Sequence, residues 1–257
     1  MGEAMNAISK TGVGLAIAAA TFTTAQAQPK DAKCQLGALE KVIALNEIEN
    51  LMGRYSHLGM MRGEGTLADL FALKTEGVSW KTPGGPVGIE AMRARFADPD
   101  EVQAPGILHM HSMMTPVIEV AGDGKTAKGV WDSFGASVNN PDDIGGWLSV
   151  KYGVDFIKED GKWKIWHLQV YPVYSIKFDK SITQTAKERA ANPPPPMVAG
   201  VTGRDVPRAD GQQRGAAPAA RPGYVMPKNV WRYDGKSTPQ GPYVPEPYCT
   251  FDPKTAY

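Results

Sequence analysis

Val117-Ile-Glu-Val-Ala-Gly-Asp-Gly-Lys-Thr-Ala-Lys-Gly-Val130 reads as two β-rich runs on either side of Asp123-Gly124. Asp-Gly in that setting signals a two-residue hairpin turn, because both central positions must tolerate positive φ. The turn pairs Ala121 with Thr126 and Glu119 with Lys128, which sets opposite charges across the ladder. Asp160-Gly161 is a second such signal and pairs Phe156 with Ile165, Val154 with His167 and Tyr152 with Gln169. Upstream the period changes. Leu39, Val42, Ile43, Leu45, Ile48, Leu51, Met52, Tyr55 and Leu58 recur at helical spacing and predict a helix from Gly37 to Met61. Arg62-Gly63-Glu64-Gly65 ends it, and Thr66 caps a short helix, Leu67 to Leu73. A strand near Val78 to Lys81, a Gly/Pro turn and a third helix, Gly88 to Phe96, follow. Helices first and a long antiparallel meander after them make an α+β fold, with the helices packed on one face of a curved sheet.

The flanks read differently. Lys10, the small-residue apolar run Thr11 to Ala25 and Ala25-Gln26-Ala27 have the three-part pattern of a secretory signal peptide. The expectation is export, periplasmic or secreted. Residues 181–257 hold most of the 21 prolines, yet also Tyr224, Trp231, Tyr233, Tyr243, Tyr248 and Phe251. Proline excludes a conventional packed domain there, and the aromatics argue against a solvated linker. The chain thus divides into a leader, 1–27, a patterned domain, 28–180, and an extended arm, 181–257, expected to lay its aromatics on a globular surface, its own or, with a homo-oligomer, a neighbouring subunit's. Cys34 and Cys249 either staple the two ends of the mature chain or stay free thiols. Charged residues make up 21% and the net charge is +1, which gives no electrostatic case for a nucleic-acid partner or an anionic membrane.

Strand parity nominates the chemistry. His109, His111, Met113 and Thr115 fall on one face with Val130, Asp132 and Phe134, so Asp132 is placed to orient His111. Tyr152, Val154, Phe156, Ile165, His167 and Gln169 share a face of the second hairpin, apolar toward the turn and polar away from it. Lys151 alternates with Tyr152 and enters a cavity only where the sheet bends. Trp166, Leu168 and Val170 would then form an apolar outer face, which favours a homo-oligomer. His109-Met-His111 lacks a third ligand at matching spacing, so no metal is expected. No glycine-rich strand-to-helix turn and no Gly-x-Ser-x-Gly appears, so neither a dinucleotide cofactor nor a serine-hydrolase elbow is expected.

Asn50-Leu-Met-Gly-Arg-Tyr55, His111-Ser-Met-Met-Thr-Pro-Val-Ile-Glu-Val120 and Tyr152-Gly-Val-Asp-Phe-Ile-Lys-Glu-Asp-Gly-Lys-Trp-Lys-Ile165, in that order, resemble the SnoaL-like branch of the nuclear transport factor 2-like superfamily over residues 36 to 175. The resemblance implies a cone: a bent sheet around the helices, with a pocket for a small organic molecule at its wide end. It implies that Tyr55 points into that pocket. One departure stands out. Where scytalone dehydratase has an Asp just past the helix-end aromatic, this chain has Leu58-Gly59-Met60-Met61, so that mechanism does not carry over. The leader, the Trp- and Met-rich sheet and the Pro-aromatic tail resemble more closely the sphingomonad diarylpropane lyases, which act on lignin-derived aromatic dimers. That resemblance implies a cofactor-independent lyase. The candidate acid–base residues are His111, Asp132, His167, Tyr55, Tyr152 and Lys151, with Trp80, His109, Met113, Phe134 and Gln169 as contacts to a small aromatic substrate. Two other classes stay open: a dehydratase, isomerase or cyclase on another ring system, and a non-catalytic binding protein.

Overall fold

The computed structural model describes residues 34–61, 64–82, 88–100, 102–140, 142–191, 233–235 and 241–257. The leader expected over residues 1–27 and most of the arm lie outside these. Helix α1 spans Ala38–Met61 and is followed by a 3-10 helix, Glu64–Leu70. Strand β1 (Ser79–Lys81), helix α2 (Ile89–Arg95) and strands β2 (Leu108–His109), β3 (Ser112–Val120), β4 (Thr126–Val138), β5 (Gly146–Glu159) and β6 (Lys162–Lys177) come next. The strands form one curled sheet in the order β1-β6-β5-β4-β2, with β3 also paired to β4. All pairs are antiparallel except β1 with β6. The expected α+β order holds. The stretch expected to begin the arm opens instead with a helix, α3, Ile182–Ala191, which buries Ala186. Its prolines start only at Pro193, so nothing before that point breaks a helix.

One face of α1 packs on the inner face of the sheet. Ala44, Ile48, Leu51, Met52 and Tyr55 recur three and four residues apart and are buried with Trp131, Val154, Phe156, Ile165 and Leu168. Burying each Ile, Leu or Met there contributes about 1.5–3 kcal/mol. Leu39, Val42 and Ile43, read as part of the same stripe, are exposed. Val42 instead borders an open groove of about 440 Å³ with Leu45, Asn46, Glu49, Pro116 and Ile118.

The first hairpin has the expected register: Glu119 pairs with Lys128 and Val120 with Ala127. The charges do not meet across it. Glu119 pairs with Lys41 of α1 at 3.1 Å, and Lys128 with Asp155 at 2.7 Å. Two irregularities then change which side chains face inward. β3 slips by one residue between Met114 and Val117, so Met114 rather than Thr115 sits opposite Asp132. Thr115 there has φ 46°, and Pro116 has no N–H for the ladder. β6 slips at Trp166, so Asp155 pairs with His167, Val154 with Leu168 and Tyr152 with Val170. A one-residue slip sends every later side chain to the opposite face. Leu168 and Val170 are therefore buried inward, and the apolar outer face expected from Trp166, Leu168 and Val170 does not form.

Cys34 and Cys249 are joined in a disulfide, with Cα atoms 5.3 Å apart. Residues 241–257 contact this chain's own sheet. Gly122 and Asp123 donate their N–H groups to the carbonyls of Tyr248 and Cys249 at 2.9 and 3.1 Å. The Tyr248 hydroxyl donates to Thr126 at 3.2 Å, and the Phe251 ring lies 4.7 Å from that of Trp166.

Close approach of backbone to backbone explains one glycine. A Cβ on Gly135 of β4 would sit 1.8 Å from the carbonyl oxygen of Met110, in the link between β2 and β3. Gly135→Ala must push that link away. The expected outcome is a loss of about 1–3 kcal/mol in urea unfolding.

Candidate active site

Tyr55 comes from the last turns of α1, Tyr152 from β5 and His111 from the residue just before β3. Tyr152 sits opposite Trp131 on β4 and Val170 on β6, so the pleat turns it inward beneath α1. The Tyr55 and Tyr152 rings meet edge to face at 5.9 Å. The Tyr152 hydroxyl lies 3.3 Å from Nδ1 of His111. α1 also fixes His111 through the backbone, since Ser56 Oγ donates to its carbonyl oxygen at 2.6 Å. Trp80 from β1 closes the group, 6.5 Å from Tyr55, and stacks on Phe96 at 5.5 Å. Met113 packs against the same core. His109 lies farther along, partly exposed, with Nε2 3.3 Å from Asn139 Oδ1.

Burial sets the protonation states. It lowers the His111 pKa to about 4, helped by the charge of His109 and opposed by Glu64, so the imidazole is neutral at pH 7. Burial also pushes Tyr152 up, and Tyr55 well up with a further rise from Tyr152, so both phenols keep their protons. The group is a neutral imidazole acceptor joined to two phenolic donors. Two buried polar groups on this inner face lack a complete partner. Ser133 Oγ has no hydrogen bond, and the Trp80 indole N–H approaches Tyr55 without completing one of normal geometry. Buried groups of this kind are rare and ask for a ligand or a water.

The other nominated residues lie elsewhere. Asp132 is on the outer face, paired with Lys151 and accepting from Thr115 Oγ1 at 3.2 Å, with its side chain 46% exposed. β4 alternates regularly against β5, which turns Trp131 inward and Asp132 outward, and the slip after Met114 carries His111 to the inner face, so Asp132 does not orient His111 and Lys151 does not enter the interior. His167 is outward too, its Nδ1 2.9 Å from Asp155 Oδ2, and Gln169 is on the same side, opposite Gly153. The slip at Trp166 is the cause. Phe134, 40% exposed, stacks on Trp147 at 5.3 Å on the outer face. Among the described residues no group of three His, Cys, Asp or Glu is placed to hold a metal ion, and no helix is long and apolar enough to cross a membrane.

Sequence reasoning missed Glu64 and Arg95. They form an ion pair at the entrance to the 3-10 helix, close enough for the Glu64 carboxylate to act on both His111 and Tyr55. Residues Arg62 to Gly65 read as a helix stop, which hid a carboxylate near the site. Ser56 and Ser133 carried no sequence signal beyond their parity.

A curled sheet wrapped on an N-terminal helix is a fold of the nuclear transport factor 2 type. The SnoaL-like domain model matches residues 40–169, half of the chain, and the chain belongs to that family. No curated protein shows significant similarity. Among solved structures, a putative scytalone dehydratase from Novosphingobium aromaticivorans is 18% identical, with a TM-score of 0.46 over 57% of this chain and 95% of its own. A hexachlorocyclohexane dehydrochlorinase, LinA-type3, from Novosphingobium barchaimii is also 18% identical, with a TM-score of 0.44 over 56% and 97%. A nuclear transport factor 2-like protein from Salmonella enterica is 16% identical, with a TM-score of 0.41 over 55% and 99%.

The His111 environment has a measurable signature. Its folded pKa lies below the unfolded value of about 6.5, so the unfolded chain binds the proton first as pH falls. Stability is lost between pH 6.5 and about 4 and levels off below that. The expected midpoint of the His111 ring by NMR is about 4. His111→Gln should abolish that part of the slope in unfolding measured against pH.

Proposed function

We propose that this chain is a cofactor-independent lyase that converts a phenolic 1,2-diarylpropane-1,3-diol, a lignin-derived dimer, to a stilbene with loss of water and formaldehyde. The observation that carries the reading is the buried contact between the His111 imidazole and the Tyr152 hydroxyl, with Tyr55 behind it and an aromatic wall of Trp80, Phe71 and Phe96 beside it. Family membership supports the coarser statement, a cofactor-free catalyst on a small molecule. The aromatic lining supports an aryl substrate, because rings of this kind stack with a few tenths to about 1.5 kcal/mol beyond their buried area.

The chemistry balances without a cofactor. The substrate's para-phenol gives its proton to neutral His111. The benzylic C–O bond breaks, a tyrosine phenol protonates the departing hydroxide to water, and a quinone methide remains. The terminal carbinol O–H then gives its proton to the tyrosinate, the bond from that carbon to its neighbour breaks, and formaldehyde leaves. That electron pair forms the stilbene double bond and returns the ring to a phenolate, which takes back the proton held by His111. His111 is the base in this scheme because its conjugate acid is too weakly held at pH 7 to serve as the resting acid. The two tyrosines supply the proton, and Glu64 with Arg95 supports the charge that develops on the imidazole. A dehydration on another phenol would use the same relay and release no formaldehyde.

The leader pattern and the Cys34–Cys249 disulfide support a periplasmic or secreted location. A homo-oligomer is part of the proposal, and the exposed Phe134, Trp147 and Phe178 on the outer face support it.

The test is incubation of the purified, metal-stripped protein with the diol, reading stilbene absorbance and assaying formaldehyde. Both products are expected in equal amounts. His111→Ala should lower kcat by about 10²–10⁴, and Tyr152→Phe should lower it without raising KM in proportion. Asp132→Asn, on the outer face, should leave kcat within about twofold. Turnover unchanged by His111→Ala rejects the scheme.

A further inference from the structure

The outer face holds a second buried polar cluster that the proposed chemistry does not use. Lys128 and Asp155 pair at 2.7 Å with side chains 8% and 0% exposed, and His167 joins Asp155 at 2.9 Å. A buried ion pair is a weak source of stability, because desolvation offsets most of the attraction. What remains of its bonding capacity is directed at the main chain of residues 251–257. Lys128 Nζ donates to the Thr255 carbonyl at 2.6 Å, and the Tyr257 N–H donates to Asp155 Oδ2 at 3.0 Å. Lys81 Nζ donates to the Tyr257 main-chain oxygen at 3.1 Å. The Phe251 and Tyr257 rings each lie 4.9 Å from Lys128 Nζ. The cluster recognises an extended peptide, and that peptide is the chain's own.

The place where the peptide lies matters. A Cβ on Gly153 would come within 2.6 Å of the Tyr257 ring, so that ring rests directly on the β5 backbone. Gly153 is the neighbour of Tyr152, and Asp155 is two residues beyond Gly153. We propose that the docked segment 248–257 is a positioning element for the interior site: Tyr257 and Asp155 clamp β5 from outside, and the clamp holds the Tyr152 hydroxyl against His111. The disulfide to Cys34 keeps the segment at its dock. This inference rests on the proposed role of Tyr152 and is a claim about how that role is kept in register. Tyr257 and Asp155 are positioning residues, since neither reaches the interior.

The experiment compares the full chain with Tyr257→Ala, which removes the ring, and with Asp155→Asn, which weakens the dock. Hydrogen exchange of residues 150–156 reports the clamp, and kcat and KM for stilbene formation report the site. Release should speed exchange over 150–156 by about tenfold and lower kcat by about tenfold, with KM changed less than twofold. Tyr257→Phe, which keeps the ring, should restore both. A purely structural role would lower the melting temperature without that split and without rescue. Unchanged exchange and unchanged kcat in Tyr257→Ala overturn the inference. If wild type releases no stilbene, the proposed function fails on its own. Faster exchange at 150–156 in Tyr257→Ala, absent from Tyr257→Phe, still upholds the clamp in that case, and unchanged exchange still overturns it.

Discussion

A β-strand shows its side chains alternately to two faces, and β5 is held to that rule by a partner on each side. β4 and β6 pair with it along nearly its whole length. Tyr152, Val154 and Phe156 must therefore face α1, while Lys151, Gly153 and Asp155 face away. The inward and outward residue sets are two readouts of one pleat. Sliding β5 by one residue would exchange Tyr152 for Lys151 beneath α1 and bring Asp155 into the aromatic wall. Both substitutions would bury charge without a partner, so the cost of slippage is high.

Burial keeps the interior groups neutral: the His111 imidazole is unprotonated at pH 7, and the Tyr55 and Tyr152 phenols keep their protons. Low local polarity strengthens the remaining interactions, so the single Glu64–Arg95 pair acts on the site from its edge. This arrangement differs from a carboxylate that touches the imidazole directly. It leaves the ring free to accept a proton from a ligand rather than sharing one with an acid beside it.

Much of the frame was legible because turns and helix period are local signals. Asp123-Gly124 set the first register correctly, although the charges thought to favour it, Glu119 and Lys128, found other partners. Tyr152 was read from strand parity and Tyr55 from the family resemblance, and both do face the interior. His111 was assigned by parity to the same face as Asp132, which is the outer one; the extra residue on β3 carries His111 inward and leaves Asp132 outside, and the extra residue on β6 sends His167 and Gln169 outside. The local cue on β3 was present in Thr115-Pro116, where proline cannot extend a ladder. On β6 there was none: Trp166 bulges so that its indole N–H can reach the Glu76 carbonyl, a contact 90 residues distant in sequence. Glu64 was hidden for a similar reason, because its partner Arg95 lies on another helix.

The disulfide also decides how the fold would carry tension. A Cβ on Gly122 would meet Cys34, and Gly122 and Asp123 hydrogen-bond to Tyr248 and Cys249, so both flanks of the domain are anchored at the β3–β4 turn. A pull applied through residues before Cys34 and after Cys249 would run through one covalent bond and one tight turn. His111 lies opposite Gly135, nine residues up β4 from Thr126 and so about 30 Å away. A domain tethered at either flank, to a surface or to a larger assembly, would keep its reactive interior outside the line of force.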